Sequence, residues 1–266
     1  MKTLLLDIET SPLLSYIWGL FQETRSMDFV VTDWYILCRA AKWLDEKTIM
    51  TSALPDFDLY KKDKENDVEV LKIMWKLLDE ADCVIAHNGI KFDIRKINAR
   101  FIKHGMNPPS PYKVIDTLKE ARKYFKFSSN RLDSIGQFLE LGKKMDTGGF
   151  DLWKECLAGN MKSWRKMARY NKQDVRLLEK VYLKLRPYMR NHPNVGLYSL
   201  SNDTLCPKCG APRNTAKIKG WIFRGNYKAQ VTEYKRIFCN VCEGWSRTRI
   251  PSVSTEKRKS LIVNAI

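Results

Sequence analysis

The sequence predicts an α/β fold, a mixed sheet with flanking helices, followed by a small C-terminal zinc ribbon built on four cysteines. Three observations carry this. Apolar runs of strand length alternate with amphipathic helical stretches after an opening set of strands, the pattern of a sheet covered by helices. Two C-x-x-C pairs in the last quarter of the chain are joined by a strand-rich segment. The chain also carries 47 Lys and Arg against 30 Asp and Glu, a formal charge of +17 over 266 residues. Such a surplus favours polyanions, nucleic acid before an anionic membrane face.

The stretch "KTLLLDIET" is apolar over the length of a strand and ends in acids. "YILCRAAKW" and "KTIMTSA" read as two further short strands, so the chain opens on a meander. Between Thr10 and Asp33 runs a long connection holding Ser11-Pro12, Tyr16, Trp18 and Phe21. A connection of that length in a compact domain is usually functional or mobile. "DVEVLKIMWKLLDEA" has apolar residues at helical spacing, "DCVIAHN" is a short buried strand, and Asn88-Gly89 turns the chain. "FDIRKINARFIKHG" is an amphipathic helix closed by Gly105, with Pro108-Pro109 beyond it. "YKVIDT" is a strand, "LKEARKYF" a helix, "NRLDSIGQFLEL" a helix with Asn130 as its cap, and "DTGGF" a turn. One helical region over 151–186 follows, and Pro187 with "NHPNVG" marks a linker. The expected division is a main domain over 1–190, a linker over 191–200, the ribbon over 201–250 and a basic, flexible tail over 251–266.

The seven cysteines are of two kinds. Cys38, Cys83 and Cys156 stand singly in apolar or amphipathic surroundings and are expected as reduced core thiols. Cys206, Cys209, Cys239 and Cys242 form the two pairs, and an odd total without a secretion signal points to one structural Zn²⁺ rather than disulfides. A redox pair would need a βαβ context that is missing here. Residues 195–266 carry 13 Lys and Arg against four Asp and Glu, a balance of +9. Trp221, Phe223, Tyr227, Tyr234 and Trp245 are interleaved with those cations, a mixture that suits single-stranded nucleic acid. Some of these rings must form the ribbon's own core, and a protein partner stays open. No apolar run approaches the roughly 20 residues of a bilayer span, so no membrane association is expected. The expected location is the cytoplasm of a bacterial or virus-infected cell; the oligomeric state is not legible.

Asp7 and Glu9 are two apart at a strand end, so their side chains share a face. Adjacent carboxylates raise each other's pKa unless a cation compensates, so the pair reads as a divalent-metal site or as a solvated strand end. Asp93 falls at the start of a helix just after the Asn88-Gly89 turn, near the positive end of the helix dipole, where first-turn acids are common. Asp174 stands on the later helix, one turn after Tyr170. His87 reads as structural, because hard Mg²⁺ seldom takes imidazole. Asp116 reads equally as a neighbour of metal ligands and as a plain strand-end acid.

Taken in order, "DIET", "HNGIKFD" and "YNKQD" resemble the three exonuclease motifs of the DEDD superfamily, whose fold is ribonuclease H-like and which includes the proofreading domains of DNA polymerases. Tyr170 four residues before Asp174 resembles the DEDDy branch; the histidine of the DEDDh branch would stand where this chain has Arg169. The resemblance spans roughly residues 1–190. It is nearest to ribonuclease H-like exonucleases akin to family B polymerase proofreading domains, and "TSPLLSYIWG", "KVIDTLKEARKYFKF" and "RLDSIGQFLELGKK" fit that group too. No polymerase domain follows, so a stand-alone nuclease is expected.

The resemblance implies a 3′→5′ exonuclease with two Mg²⁺ or Mn²⁺ ions. Asp7 would bridge both ions, Glu9 and Asp174 would complete the nucleophile-side site, and Asp93 would support the second ion. Tyr170 would orient the attacking water, because a phenol near pKa 10 is a poor base at neutral pH. Thr10 and the loop bearing Leu13, Leu14, Tyr16 and Trp18 would grip the terminal nucleotide, or else Tyr16 and Trp18 would anchor that loop to the core. Asn88 and Phe92 fall at family positions near the substrate strand. Lys143 and Lys144 would meet phosphates or form a solvated basic turn. The implied substrate is single-stranded DNA, released as nucleoside monophosphates, with replication or repair proteins as possible partners. An RNA-trimming exoribonuclease and a catalytically inert nucleic-acid-binding protein are the alternatives.

Overall fold

Leu4, Leu5 and Leu6 are solvent-inaccessible in succession, which leaves neither face of β1 (Thr3–Thr10) open and makes it a central strand. The computed structural model describes residues 1–20 and 26–263, so Phe21 lies outside the described residues. The chain divides into two compact units, Lys2–Tyr182 and, with Met1, Leu183–Ile266.

In the first unit the long connection after β1 holds a small antiparallel pair, β2 (Leu14–Ser15) and β3 (Val30–Thr32). β4 (Ile36–Trp43) and β5 (Met50–Ala53) complete the expected meander, both antiparallel to their neighbours. Helices α1 (Leu59–Lys62) and α2 (Val68–Glu80) lead to β6 (Cys83–Ala86), which runs parallel to β1. α3 (Asp93–Lys103) crosses over to β7 (Lys113–Asp116), parallel to β6. α4 (Thr117–Tyr124), α5 (Leu132–Phe138), α6 (Asp151–Leu157) and α7 (Met161–Leu185) follow. The sheet order is β5-β4-β1-β6-β7, a mixed sheet with flanking helices.

The core lies where apolar spacing puts it. On α2, Val70, Leu71, Met74, Leu77 and Leu78 recur at helical intervals and are all buried. They join Leu4, Leu6, Ile8, Leu37, Ile97 and Phe101 in one cluster that also takes in Trp164 and Met167 of α7. Cys38, Cys83 and Cys156 are free thiols buried in the first unit.

One buried charge pins three elements. The fully buried Asp67, before α2, accepts from the Ile36 backbone N–H (2.8 Å) and from two nitrogens of Arg100 on α3 (2.7 Å each). His104 Nε2 lies 2.9 Å from it, and Arg100 also donates to the Trp34 carbonyl at 3.3 Å.

Two local expectations differ from the structure. The helical region over 151–186 is two helices, because Gly159 sits at φ +87°, a left-handed turn that ends α6. Asn160 then accepts from the Lys162 (2.9 Å) and Ser163 (3.4 Å) N–H groups and opens α7. Asn130 does not cap α5: Arg131 holds that position, while the Asn130 carbonyl is taken by His87 Nε2 at 2.9 Å.

The second unit contains an antiparallel sheet, order β10-β9-β8, built from β8 (Trp221–Ala229), β9 (Thr232–Cys239) and β10 (Trp245–Arg247). A short helix, α8 (Thr255–Lys259), lies in the segment where a tail is expected. The unit's buried apolar cluster is Ala211, Trp221 and Ile237 packed on Cys206, Cys239 and Cys242. So small a core needs a covalent or metal staple. Among the described residues no helix is long and apolar enough to cross a membrane.

Replacing Asp67 with Ala should lower unfolding stability by about 3–5 kcal/mol, because Arg100 is left buried without its partner. Urea denaturation measures this, and a loss below about 1 kcal/mol would show that the network does not hold the helices.

Candidate active site

β1, β6 and β7 are parallel, so their C-terminal ends share one edge of the sheet, the edge where open α/β sheets place ligands. β1 outruns its neighbour: pairing with β6 ends at Leu5, whereas pairing with β4 continues to Thr10. The Ile8 N–H therefore donates to the Asp93 carboxylate instead, at 3.2 Å, which fixes the first residue of α3 against β1. The turn before α3 is tight. Asn88 sits at φ +65°, and a Cβ on Gly89 would stand 2.4 Å from the Ala86 Cβ, so glycine is required there.

α7 brings the remaining groups. Asp7, Glu9 and Asp174 each offer a carboxylate oxygen within 4.8 Å of the others. Asp93 is buried beside them, outside that trio, yet close enough to raise the Asp7 pKa. Burial pushes all four carboxyls up, Asp93 to about 7 with Asp116 adding to it and Asp174 in the same direction; repulsion from the neighbouring acids adds to burial at Asp7, well above its ordinary range, and at Glu9, which reaches about 8. Lys144 opposes this. Its ammonium pairs with Asp174 and lies 3.2 Å from the Tyr170 hydroxyl. Burial works against the charge on Lys144, but its acidic neighbours outweigh that and raise its pKa. The Tyr170 hydroxyl is pushed up by burial and by Asp174, so it keeps its proton at neutral pH.

The donor set fits hard divalent cations, which take carboxylate oxygens. Like charges gathered at one strand end call for a positive partner. The second oxygen of Asp174 is buried with no hydrogen-bond partner among the described residues.

Thr10 accepts from Lys96 at 3.4 Å. Leu13, Tyr16 and Trp18 are exposed, Tyr16 at 73% and Trp18 at 86%, so they do not anchor their loop to the core. Phe92 is exposed and lies 5.2 Å from the Lys96 ammonium. Asp116 is a structural acid, accepting from the Asn88 N–H (2.9 Å) and Ile90 N–H (3.2 Å) and capping α4. His87 bridges Thr117 and the Asn130 carbonyl, both at 2.9 Å, which places its proton on Nε2 and leaves it no role as a metal ligand.

Two features escape sequence reasoning. Asn171, fully buried, donates to Asp7 at 2.5 Å and ties α7 to β1. Its one signal is its place three residues before Asp174, on the same helix face. Arg169, Lys172 and Arg176, spaced three and four apart on α7, join Lys143 and Lys144 around a cavity of about 420 Å³ with no carboxylate among its described lining residues. A second cavity, of about 560 Å³, is lined by Asn88, Arg122, Arg131 and again Lys144.

In the second unit the four cysteine sulfurs also lie within 4.8 Å of one another, with Cys206–Cys242 at 3.7 Å and Cys209–Cys239 at 3.6 Å. A disulfide needs about 2.05 Å, whereas sulfurs about 2.3 Å from a tetrahedral zinc stand about 3.8 Å apart. The two turns match. Gly210 and Glu243, both at positive φ, donate to the carbonyls of Cys206 (2.9 Å) and Cys239 (2.8 Å). The Cys206 and Cys239 N–H groups donate to Ala211 (2.7 Å) and Gly244 (3.0 Å).

The sequence matches the RNase H superfamily over residues 40–186, which takes in Asp93, Tyr170 and Asp174 but not Asp7 and Glu9. No curated protein matches it. Among solved structures, the family B DNA polymerase from the hyperthermophilic archaeon Pyrobaculum calidifontis shares the fold, with a TM-score of 0.53 and 14% identity. The similarity covers 70% of this chain and 25% of the polymerase, so the chain spans about a quarter of that protein's length.

The raised carboxyl pKa values have a linkage consequence. Glu9 and Asp93 hold protons to about 8 and 7 when folded, against ordinary values of 4.5 and 3.8. Between those limits the folded state binds more protons than the unfolded one, so their contribution to stability is lost as pH rises. In Mg²⁺-free buffer the melting temperature should fall between pH 5 and 8.5, and added Mg²⁺ should raise it more at pH 8.5 than at pH 5. Calorimetry across this range tests it; a rise with pH in Mg²⁺-free buffer would contradict the charge assignment.

Proposed function

This chain belongs to the RNase H superfamily, and from that premise we propose that it is a metal-dependent 3′→5′ exonuclease of the DEDDy type, hydrolysing single-stranded DNA to nucleoside monophosphates. The observation that carries the reading is the convergence of Asp7, Glu9 and Asp174 from two distant parts of the chain, with Tyr170 one helical turn from Asp174.

Asp7, Glu9, Asp93 and Asp174 would hold two Mg²⁺ or Mn²⁺ ions, whose chemistry when bound is to activate a water and neutralise charge on the scissile phosphate. Asn171 and the Ile8 N–H fix two of those acids, Asp7 and Asp93, before substrate arrives. Tyr170, protonated at neutral pH, donates a hydrogen bond that orients the water and does not act as the base. Lys144, on the rim of both cavities, meets the phosphate next to the scissile bond. Thr10, Leu13, Tyr16, Trp18, Asn88 and Phe92 bind the terminal nucleotides, the exposed rings by stacking. The four cysteines hold one structural Zn²⁺.

A 3′→5′ exoribonuclease is the second reading, because the superfamily whose motifs these residues resemble acts on both DNA and RNA. A catalytically inert nucleic-acid-binding protein is the third, and the gathering of Asp7, Glu9 and Asp174 with Asp93 buried beside them argues against it.

Digestion of 5′-labelled single-stranded DNA and RNA with Mg²⁺ should give a ladder shortening from the 3′ end, faster on DNA. Asp7→Asn and Asp174→Asn should abolish it. Tyr170→Phe should slow it about 10²-fold or more with Mg²⁺ affinity nearly unchanged. No Mg²⁺-dependent shortening of either strand by wild type would sink the nuclease reading. The purified chain should also carry one zinc by elemental analysis, and Cys206→Ser should lose it.

A further inference from the structure

The second unit has a cavity of about 420 Å³, within the range of small-molecule sites, roughly 300–1,000 Å³. We propose that this cavity binds one nucleotide of a single-stranded polynucleotide, giving the zinc-ribbon unit a nucleic-acid site of its own. The proposal goes beyond the nuclease reading, since it concerns none of the acid-cluster residues.

Ring and charge occur here together. Tyr227 and Trp245 line the cavity and are each 48% exposed. Neither belongs to the unit's buried cluster, which Trp221 and Ile237 supply. Exposed rings beside a cavity offer a base a stacking surface that every base can use. The cations are already placed. The Arg236 guanidinium lies 4.9 Å from the Trp245 ring, with its Nε donating to the Arg224 carbonyl at 2.7 Å. The Arg247 guanidinium lies 3.7 Å from Tyr234 and 6.0 Å from Tyr227. A guanidinium over a ring keeps its hydrogen-bonding edge available for phosphate.

The backbone is shaped for this. β8 bulges between Phe223 and Asn226, and Gly225 there sits at φ +70°. A Cβ at Gly225 would come 3.4 Å from Arg236 Nη2, so the glycine leaves room for the guanidinium. Lys208, within the first C-x-x-C turn, is 8% exposed and lines the cavity while its ammonium donates to the Pro187 carbonyl. Trp245 follows directly on the second turn. Among the described lining residues there are four Lys and Arg and no carboxylate. Cations alone would suit an acidic peptide; the half-exposed rings between them select a strand that carries both phosphates and flat bases.

The test uses the full chain, zinc-loaded and with Asp7→Asn to block cleavage, in Mg²⁺-free buffer. Binding of fluorescein-labelled dT₁₂ and U₁₂ is followed by anisotropy at several salt concentrations. Trp245→Ala should weaken binding about tenfold or more. Arg247→Ala should weaken it and lower the salt slope by about one. In the otherwise wild-type chain, both substitutions should leave Mg²⁺-dependent cleavage of a trinucleotide unchanged. Equal losses on dT₁₂ and U₁₂ support a site blind to the sugar, and unequal losses support one that selects the more affected strand. Zinc retention controls for folding. Unchanged affinity in both variants with zinc retained overturns the proposal, and so does a loss confined to Arg247→Ala, which would mean charge without stacking. If these losses appear while wild type cleaves nothing, the nuclease reading fails and this one stands.

Discussion

Bringing Asp7, Glu9 and Asp174 within 4.8 Å of one another sets acids together largely out of water, where burial and neighbouring carboxyls oppose ionisation, and the rest of the first unit is arranged around that constraint. Two neutral anchors fix its geometry: the Asn171 amide on Asp7 and the Ile8 N–H on Asp93. One internal cation, Lys144, offsets part of its charge. The position of Asp93 follows from a mismatch in strand length. Because β1 runs past the end of β6, a backbone donor is left open beside the sheet, and the first residue of α3 satisfies it. A crossover that closes on a strand in this way sets the helix and the site in one step.

Support for that step comes from farther away. The buried Asp67–Arg100 ion pair ties α2, α3 and the start of β4, and His104 adds a further contact to Asp67. Apolar packing holds these elements together, and the bidentate contact to Arg100 fixes how α3 is rotated. The second unit is held differently. Its buried apolar set is small, and its four thiols stand at the separations a tetrahedral ion requires.

Much of this is legible in the sequence wherever the signal is local. The triple-leucine run of β1, the i, i+3, i+4 spacing of α2 and the acids at the strand end are short-range patterns. The superfamily match agrees with the fold those patterns imply. The two C-x-x-C pairs announce a cluster that lies together in space. What escapes is non-local or conformational. Asn171 meets Asp7 across 164 residues, and nothing near either residue says so. The β2–β3 pair is too short to show alternation. The break at Gly159 depends on a left-handed φ that one glycine in a helical region does not declare. Asn130 has the right side chain for a cap, but His87 claims its carbonyl.

Each C-x-x-C turn closes on its own hydrogen bonds, within Cys206–Ala211 and within Cys239–Gly244. Each pair of thiols is thus held by a turn that is local in sequence. With zinc as the ligand, either turn can capture an ion first, and the hairpin between them then closes as a tethered loop, whose entropic cost grows only slowly with length. The maturation rate of this unit would then depend on how much free metal is present while the chain is still unfolded.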